Sequence, residues 1–382
     1  MSQSLVASSV AVDFSCPGQD RSEHLKRIIS RSVQDLVVGF LRRRGEQVEA
    51  NSTGLVPLLR DFADTKCDPK IALDAPSWNM DVSLRIADAD HVHSAAVFAA
   101  HLYHCGIQGK WQATFSKPGR VRFGAVVTPE IIWMSVDGQE LQFIDTTGKV
   151  NRVTFPLAGS GMRELVAVDT TSRRSITLAE EVDDDLFHCR QEEGFSTADL
   201  TSRREELEKA VRLTREYAPE YLSWYGDIIR MLVALPSPGP GLVMSRTVPG
   251  QCGVVYVSSS CGSIRLAESL IHEASHQYFF LGSLEMNYCS LADETLYYSS
   301  YRQMDRPIDR ILVAFHAFGN VLLFYRAVAA QTVDESLYTW AKASATDHER
   351  RLKTLAGFIE HSPGVMRAGR LLFQTLADKV RL

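Results

Sequence analysis

Two histidines four residues apart, His272 and His276, bracket Glu273 in the stretch Leu270-Ile271-His272-Glu273-Ala274-Ser275-His276, and nothing else in the chain constrains its fold as tightly. Ile264, Leu266, Ala267, Leu270, Ile271 and Ala274 recur at apolar spacings near three and four behind Ser263, a start signal, so the carrier reads as a helix. Four residues are a little over one turn, which stacks both imidazoles on one face. Two neutral imidazoles held that way bind one transition-metal ion. Glu273 lies about 100° around the helix, beside such an ion, as a base or a hydrogen-bond acceptor. The bland alternative is a solvated pair on an amphipathic face.

A catalytic metal needs a third protein ligand and open positions besides. Glu294, 18 positions past His276, comes near the spacing of the glutamate ligand in gluzincin peptidases. A third histidine close behind the pair, as in metzincins, is absent from residues 277–287. His316, 40 positions on, sits in the apolar run Ile308 to Asn320 and is the preferred third ligand. It shares a helical face with Leu312, Gly319 and Leu323, and the small Gly319 offers close approach to a backbone or a cofactor. The competing reading of His316 is a satisfied core histidine. His91, His93, His101 and His104 cluster elsewhere and read as structural or surface residues.

The chain is long enough, at 382 residues, for two lobes, and its charge of −5 argues against phosphate-neutralising nucleic-acid binding. No apolar run reads as a membrane span, since the richest, Val321 to Ala330, is broken by Arg326. No secretory signal is visible at the N-terminus. Seven cysteines, odd in number and without C-x-x-C spacing, fit reduced thiols, so a cytoplasmic location is expected.

The expected fold class is α+β. Residues 1–195 are expected to hold N-terminal helices (Glu23 to Gln47, Thr53 to Phe62, Asp90 to Cys105) and a small antiparallel β region. Its strands are Trp111–Phe115, Val121–Val127, Ile131–Val136, Leu141–Ile144 and Val150–Phe155, with Leu165–Val168 as a further candidate and an acidic connection at Glu180–Asp185. Residues 196–382 are expected to be a mostly helical metal-binding half. There a helix from Thr197 continues beyond Pro219 through Leu222 to Leu235, and Pro236 to Gly241 ends it. A hairpin, Leu242–Thr247 with Cys252–Ser258, lies beside the histidine helix, as the edge strand does in zincin peptidases. Residues 284–306 read as irregular, followed by helices over 307–330, 333–361 and 363–380.

Further blocks follow the histidine pair: Leu296-Tyr297-Tyr298-Ser299-Ser300-Tyr301-Arg302, Asp305-Arg306-Pro307-Ile308, Ala314-Phe315-His316-Ala317-Phe318-Gly319-Asn320-Val321 and Phe324-Tyr325-Arg326. With Leu270 to His276 they resemble the iron(II)- and 2-oxoglutarate-dependent HExxH peptide β-hydroxylases, which modify ribosomally made precursor peptides. The resemblance implies His272, His276 and His316 as metal ligands, the last at a position where the family varies. It implies Arg302 or Arg306 as the group that grips a carboxylate of 2-oxoglutarate. Glu273 would then orient a ligand or water rather than act as a hydrolytic base. The competing readings are a zinc peptidase, from the histidine pair and Glu294, and a non-catalytic peptide-binding protein with a structural metal. For both arginines the alternative is an ion pair with Asp305 or Asp309.

Overall fold

The computed structural model describes residues 9–18, 21–65, 90–104, 107, 109–119, 121–123, 126–138, 140–154, 165–169, 174–179, 197–235, 244–248, 251–258 and 262–382. The expected acidic connection at 180–185 and the Pro/Gly run at 236–241 lie outside these residues. The fold is α+β and mostly helical.

The N-terminal part follows the hydrophobic pattern closely. A helical stretch at residues 9–13 precedes α1 (Ser22–Ala50), β1 (Ser52–Thr53), α2 (Leu55–Asp64) and α3 (His91–His104). Helix α3 carries buried residues on nearly every side, among them Val92, Ala96, Phe98, Ala100 and Leu102, as a run with little polar interruption requires. Next come β2 (Trp111–Gly119), β3 (Arg122–Phe123), β4 (Val126–Val127), β5 (Ile131–Asp137), β6 (Glu140–Asp145) and β7 (Val150–Thr154). They make an antiparallel sheet of order β1-β2-β5-β6-β7, with β3 and β4 as a separate pair. Trp111, Ala113 and Phe115 alternate inward along β2, and Leu141 and Phe143 along β6. Gly138 (φ +61°) turns the β5–β6 hairpin in the left-handed region that a side chain resists.

The second sheet departs from expectation. Its order is β11-β12-β10-β9-β8, built from β8 (Leu165–Asp169), β9 (Arg174–Ala179), β10 (Met231–Leu235), β11 (Ser245–Arg246) and β12 (Val254–Ser258). Strands β9, β10 and β12 run parallel, while β8 and β11 are antiparallel at the two edges. Leu222–Leu235 is therefore not one helix. After α4 (Thr197–Tyr217) comes the short α5 (Glu220–Gly226), and Met231–Leu235 is a strand bonded on both sides. A short apolar run fits a buried parallel strand as well as a buried helix, and β-sheet pairing decides between them.

Helix α6 (Ser263–Glu285) carries the histidine pair. Residues expected to be irregular contain a hairpin, β13 (Leu296–Ser299) with β14 (Met304–Pro307), joined in register Leu296↔Pro307 to Ser299↔Met304. Helices α7 (Ile308–Gln331), α8 (Glu335–His361) and α9 (Arg367–Val380) close the chain. Helix α7 packs on α6, α8 and α9 and is the centre of this half. Contrary to the reading of the sequence, it is long and apolar enough to cross a membrane by length and composition. Most of it is instead buried in the protein, and no other described helix passes that test.

One hydrophobic cluster runs from Val10 to Val380, and β9 from one side of residue 195 pairs with β10 from the other. The core is continuous across the expected lobe boundary.

Candidate functional site

Helix α6 stacks His272 and His276 as the four-residue spacing requires, with ring centroids 4.5 Å apart and planes at 86°. Imidazoles that share one ion at about 2.0–2.1 Å have centroids roughly 5 Å apart, a separation close to that of this pair. Both residues are half-buried. Burial, then the charges of His348, Arg302 and His316, pushes the pKa of His272 down to about 3. His276 is pushed well below its usual value, first by burial and then by His272 and His316. Both rings are thus neutral with lone pairs available, the form a metal needs. Nδ1 of His276 is buried without a hydrogen-bond partner, and no ring nitrogen of either residue is bonded to a described residue. The pair fits a metal ion.

Glu273 is 1 % exposed and points at the edge of the second sheet. Ser245 Oγ, on β11, donates to its Oε1 at 2.7 Å, while its Oε2 is buried without a partner. Burial pushes its pKa up, partly offset by hydrogen bonds from Ser245 and Thr247 and by the Arg302 charge. The expected hairpin beside the histidine helix is thus in contact with it, through a two-residue strand antiparallel to β12.

Of the expected arginines, Arg302 is the one whose charge acts on His272, Glu273 and His276 together. It sits in the tip of the β13–β14 hairpin, beside Gln303 at φ +54°. That tip is clamped from below. The Tyr301 ring stacks on Phe318 at 3.6 Å and 3°, Phe318 lies 4.6 Å from His272, and Arg351 donates to the Ser300 carbonyl at 3.1 Å. The Arg302 side chain makes no ion pair with a described carboxylate. Arg306 is half-buried in β14 opposite Tyr297, and Asp309 pairs with Arg310 instead of either expected arginine.

His316 is placed differently from the expectation. It is fully buried on α7, and its Nε2 lies 2.8 Å from the Phe14 carbonyl and 3.0 Å from that of Ser15, both hydrogen-bond acceptors. Asn320, one turn on, donates to the same Ser15 carbonyl. An Nε2 that donates to carbonyls has no lone pair to give. Its Nδ1 is buried and unpartnered, and burial pushes its pKa down to about 4. Among the described residues no three His, Cys, Asp or Glu side chains converge as a metal site. His316 therefore does not join the pair in this arrangement; it ties the N-terminal segment to α7. Gly319 likewise accommodates no cofactor: a Cβ there would meet Leu376 Cδ2 of α9 at 2.7 Å. Glu294 is exposed in the segment before β13. His91 is buried at the start of α3, and the side chain of His104 lies outside the described residues.

Three participants escaped the sequence. Ser245 is a single hydroxyl in the short stretch Met244-Ser245-Arg246-Thr247, with nothing to mark it. His348 lies 72 positions after His276 with no spacing to mark it. Tyr301 stands next to Arg302 in a tyrosine-rich block, which is the one signal that was present. No protein-family model matches this chain, and no curated protein matches it either.

Proposed function

We propose that this chain is an iron(II)- and 2-oxoglutarate-dependent oxygenase that hydroxylates a side-chain carbon, at a β position, of a ribosomally made precursor peptide. The observation that carries the reading is Arg302: an exposed guanidinium whose charge reaches both rings of a neutral histidine pair, without a described carboxylate partner. Such a cation suits an anionic co-ligand, and a guanidinium holds a carboxylate through two parallel hydrogen bonds. His272 and His276 would hold the metal, which when bound supplies dioxygen activation; 2-oxoglutarate would complete much of its surroundings. Glu273, held by Ser245 at the foot of the pair, would orient a ligand or a water beside the metal. Strand β11 pairs only with β12 among the described residues, so the outer edge of its two residues, Ser245 and Arg246, would give an extended peptide a short point of strand addition beside Glu273.

The test is turnover of a broad peptide panel with iron, ascorbate and 2-oxoglutarate. Succinate formed in step with a product heavier by one oxygen is expected. Arg302→Ala should weaken 2-oxoglutarate binding by about tenfold or more, the loss of one charge-assisted contact of roughly 1.5–3 kcal/mol, with metal affinity retained. No succinate from any peptide, with the metal bound, would sink the reading.

A second reading, a zinc peptidase, is favoured by one contact: the edge strand touches the glutamate of the histidine helix. Peptide cleavage with zinc alone, lost in Glu273→Gln, would put that reading in place of the first.

A further inference from the structure

A cavity of about 430 Å³ opens toward the far end of α7, away from the β13–β14 hairpin that precedes the helix. Leu323 and Arg326 of α7, Lys379 of α9 and Arg381 just past the end of α9 line it. That volume is in the range of small-molecule sites. Three of the lining residues are cations and none is a carboxylate, in a chain whose net charge is −5. A concave surface with one sign of charge concentrates the opposite sign.

An exposed lysine or arginine by itself is an ordinary solvated side chain. Two observations set this group apart. The first is that the positive charge is left uncompensated. Arg326 pairs with Glu349 of α8 at 2.8 Å, but Lys353 holds the same carboxylate at 2.8 Å, so two cations share one anion. Lys379 and Arg381 are exposed and make no ion pair with a described carboxylate. The second is the backbone of Arg381, at φ +51° and ψ +53°. This is the left-handed position past a helix end where glycine ordinarily sits, and a side chain there is held under strain. The strained residue is the one that brings a guanidinium to the cavity. The negative end of the α9 dipole opposes an anion here, yet its carbonyls are engaged. Ala377 accepts from the backbone N–H groups of Arg381 and Leu382, and Val380 accepts from Arg326.

We propose that this cavity binds a small phosphorylated molecule, its phosphate held by Arg326, Lys379 and Arg381 and its carbon portion lying against Leu323. A phosphate presents three oxygens outward and suits three cations carried by separate side chains, whereas a planar carboxylate presents two. Arg326 is fixed in place by Glu349 and the Val380 carbonyl, and its guanidinium keeps further N–H donors for a ligand. The site is independent of the histidine pair and of what that pair does.

The experiment is calorimetric titration of the full-length protein, without added metal, with pyrophosphate as the probe. Saturable binding with a Kd of about 1 mM or tighter is expected. Lys379→Ala with Arg381→Ala should weaken it about tenfold or more, with thermal unfolding showing the variant folded. Arg42→Ala with Arg43→Ala, which removes the same charge from exposed positions on α1, should leave binding unchanged, as should Arg302→Ala beside the histidine pair. Arg381→Gly should weaken binding while raising the thermal midpoint, since glycine takes the left-handed backbone freely. Absence of saturable binding, or equal weakening by the two double variants, overturns the site. Loss of binding in Arg302→Ala places the anion at the histidine pair and overturns it too. Citrate bound as tightly as pyrophosphate overturns the assignment to phosphate.

Discussion

His316 shows how one buried ring links chemistry to stability. Its pKa near 4 in the fold lies below the value of about 6.5 expected in an unfolded chain. Below that pH the unfolded state takes up a proton that the folded state refuses. The stability contributed by the neutral ring is complete above about pH 6.5 and drains as the pH falls toward 4, by up to about 1.4 kcal/mol per unit. Urea unfolding of the metal-free protein across that window should give a smaller pH slope, by about one proton, in His316→Gln, whose amide still donates to the carbonyls. A metal titration of the same variant should find binding intact, while His272→Ala and His276→Ala lose it. Of this neighbourhood the sequence made the helix and the pair legible, because period and spacing are local properties. What His316 does was not legible, since its partners are carbonyls 301 and 302 residues away.

Among the elements, the long helices could be read from their apolar stripes rather than from their starts: Gly262, not Ser263, precedes α6 and no side chain caps it, whereas α8 does carry a capping side chain. Asp334 accepts from Leu337 N at 2.9 Å and from Ser336 Oγ at 2.8 Å at the head of α8. Asp334→Ala should cost about 0.5–2 kcal/mol, seen as a lower urea midpoint without loss of metal binding. Strand β10 was misread because Met-Leu-Val-Ala-Leu has no period to betray it, and β9 escaped because Arg-Ser-Ile-Thr-Leu-Ala offers just two large apolar residues, Ile176 and Leu178, both buried. The hairpin β13–β14 escaped for another reason: it is largely exposed, with Leu296 at 59 % and Tyr298 at 49 %, so no alternation of burial marks it. Gly319 was read as room for a ligand, yet it is room for α9. Gly319→Ala should force Leu376 aside and cost about 1–3 kcal/mol, measured as a drop in thermal midpoint.

At the scale of the whole molecule, a polar tie fixes the N-terminal helices to the site half. Arg21, 3 % exposed, pairs with Asp227 at 3.2 Å, donates to Tyr278 Oη at 2.8 Å and lies over the Trp224 ring. Tyr278 is on α6, two residues past His276. Asp227→Asn leaves a buried cation short of its counter-charge and should cost about 3–5 kcal/mol in chemical unfolding. A double change, Arg21→Met with Asp227→Leu, should recover much of that. This tie, and the sheet that joins β9 to β10, link residues on the two sides of position 195, so chain segments far apart in order share one interior.

Helix α7 gives the chain a hazard during synthesis. Until α6, α8 and α9 wrap it, the nascent polypeptide displays a segment long and apolar enough, by length and composition, to cross a membrane. Two of those neighbours, α8 and α9, are made after it, so the ribosome must deliver about fifty further residues, an estimate from their combined span, before the greasy rod is sheathed.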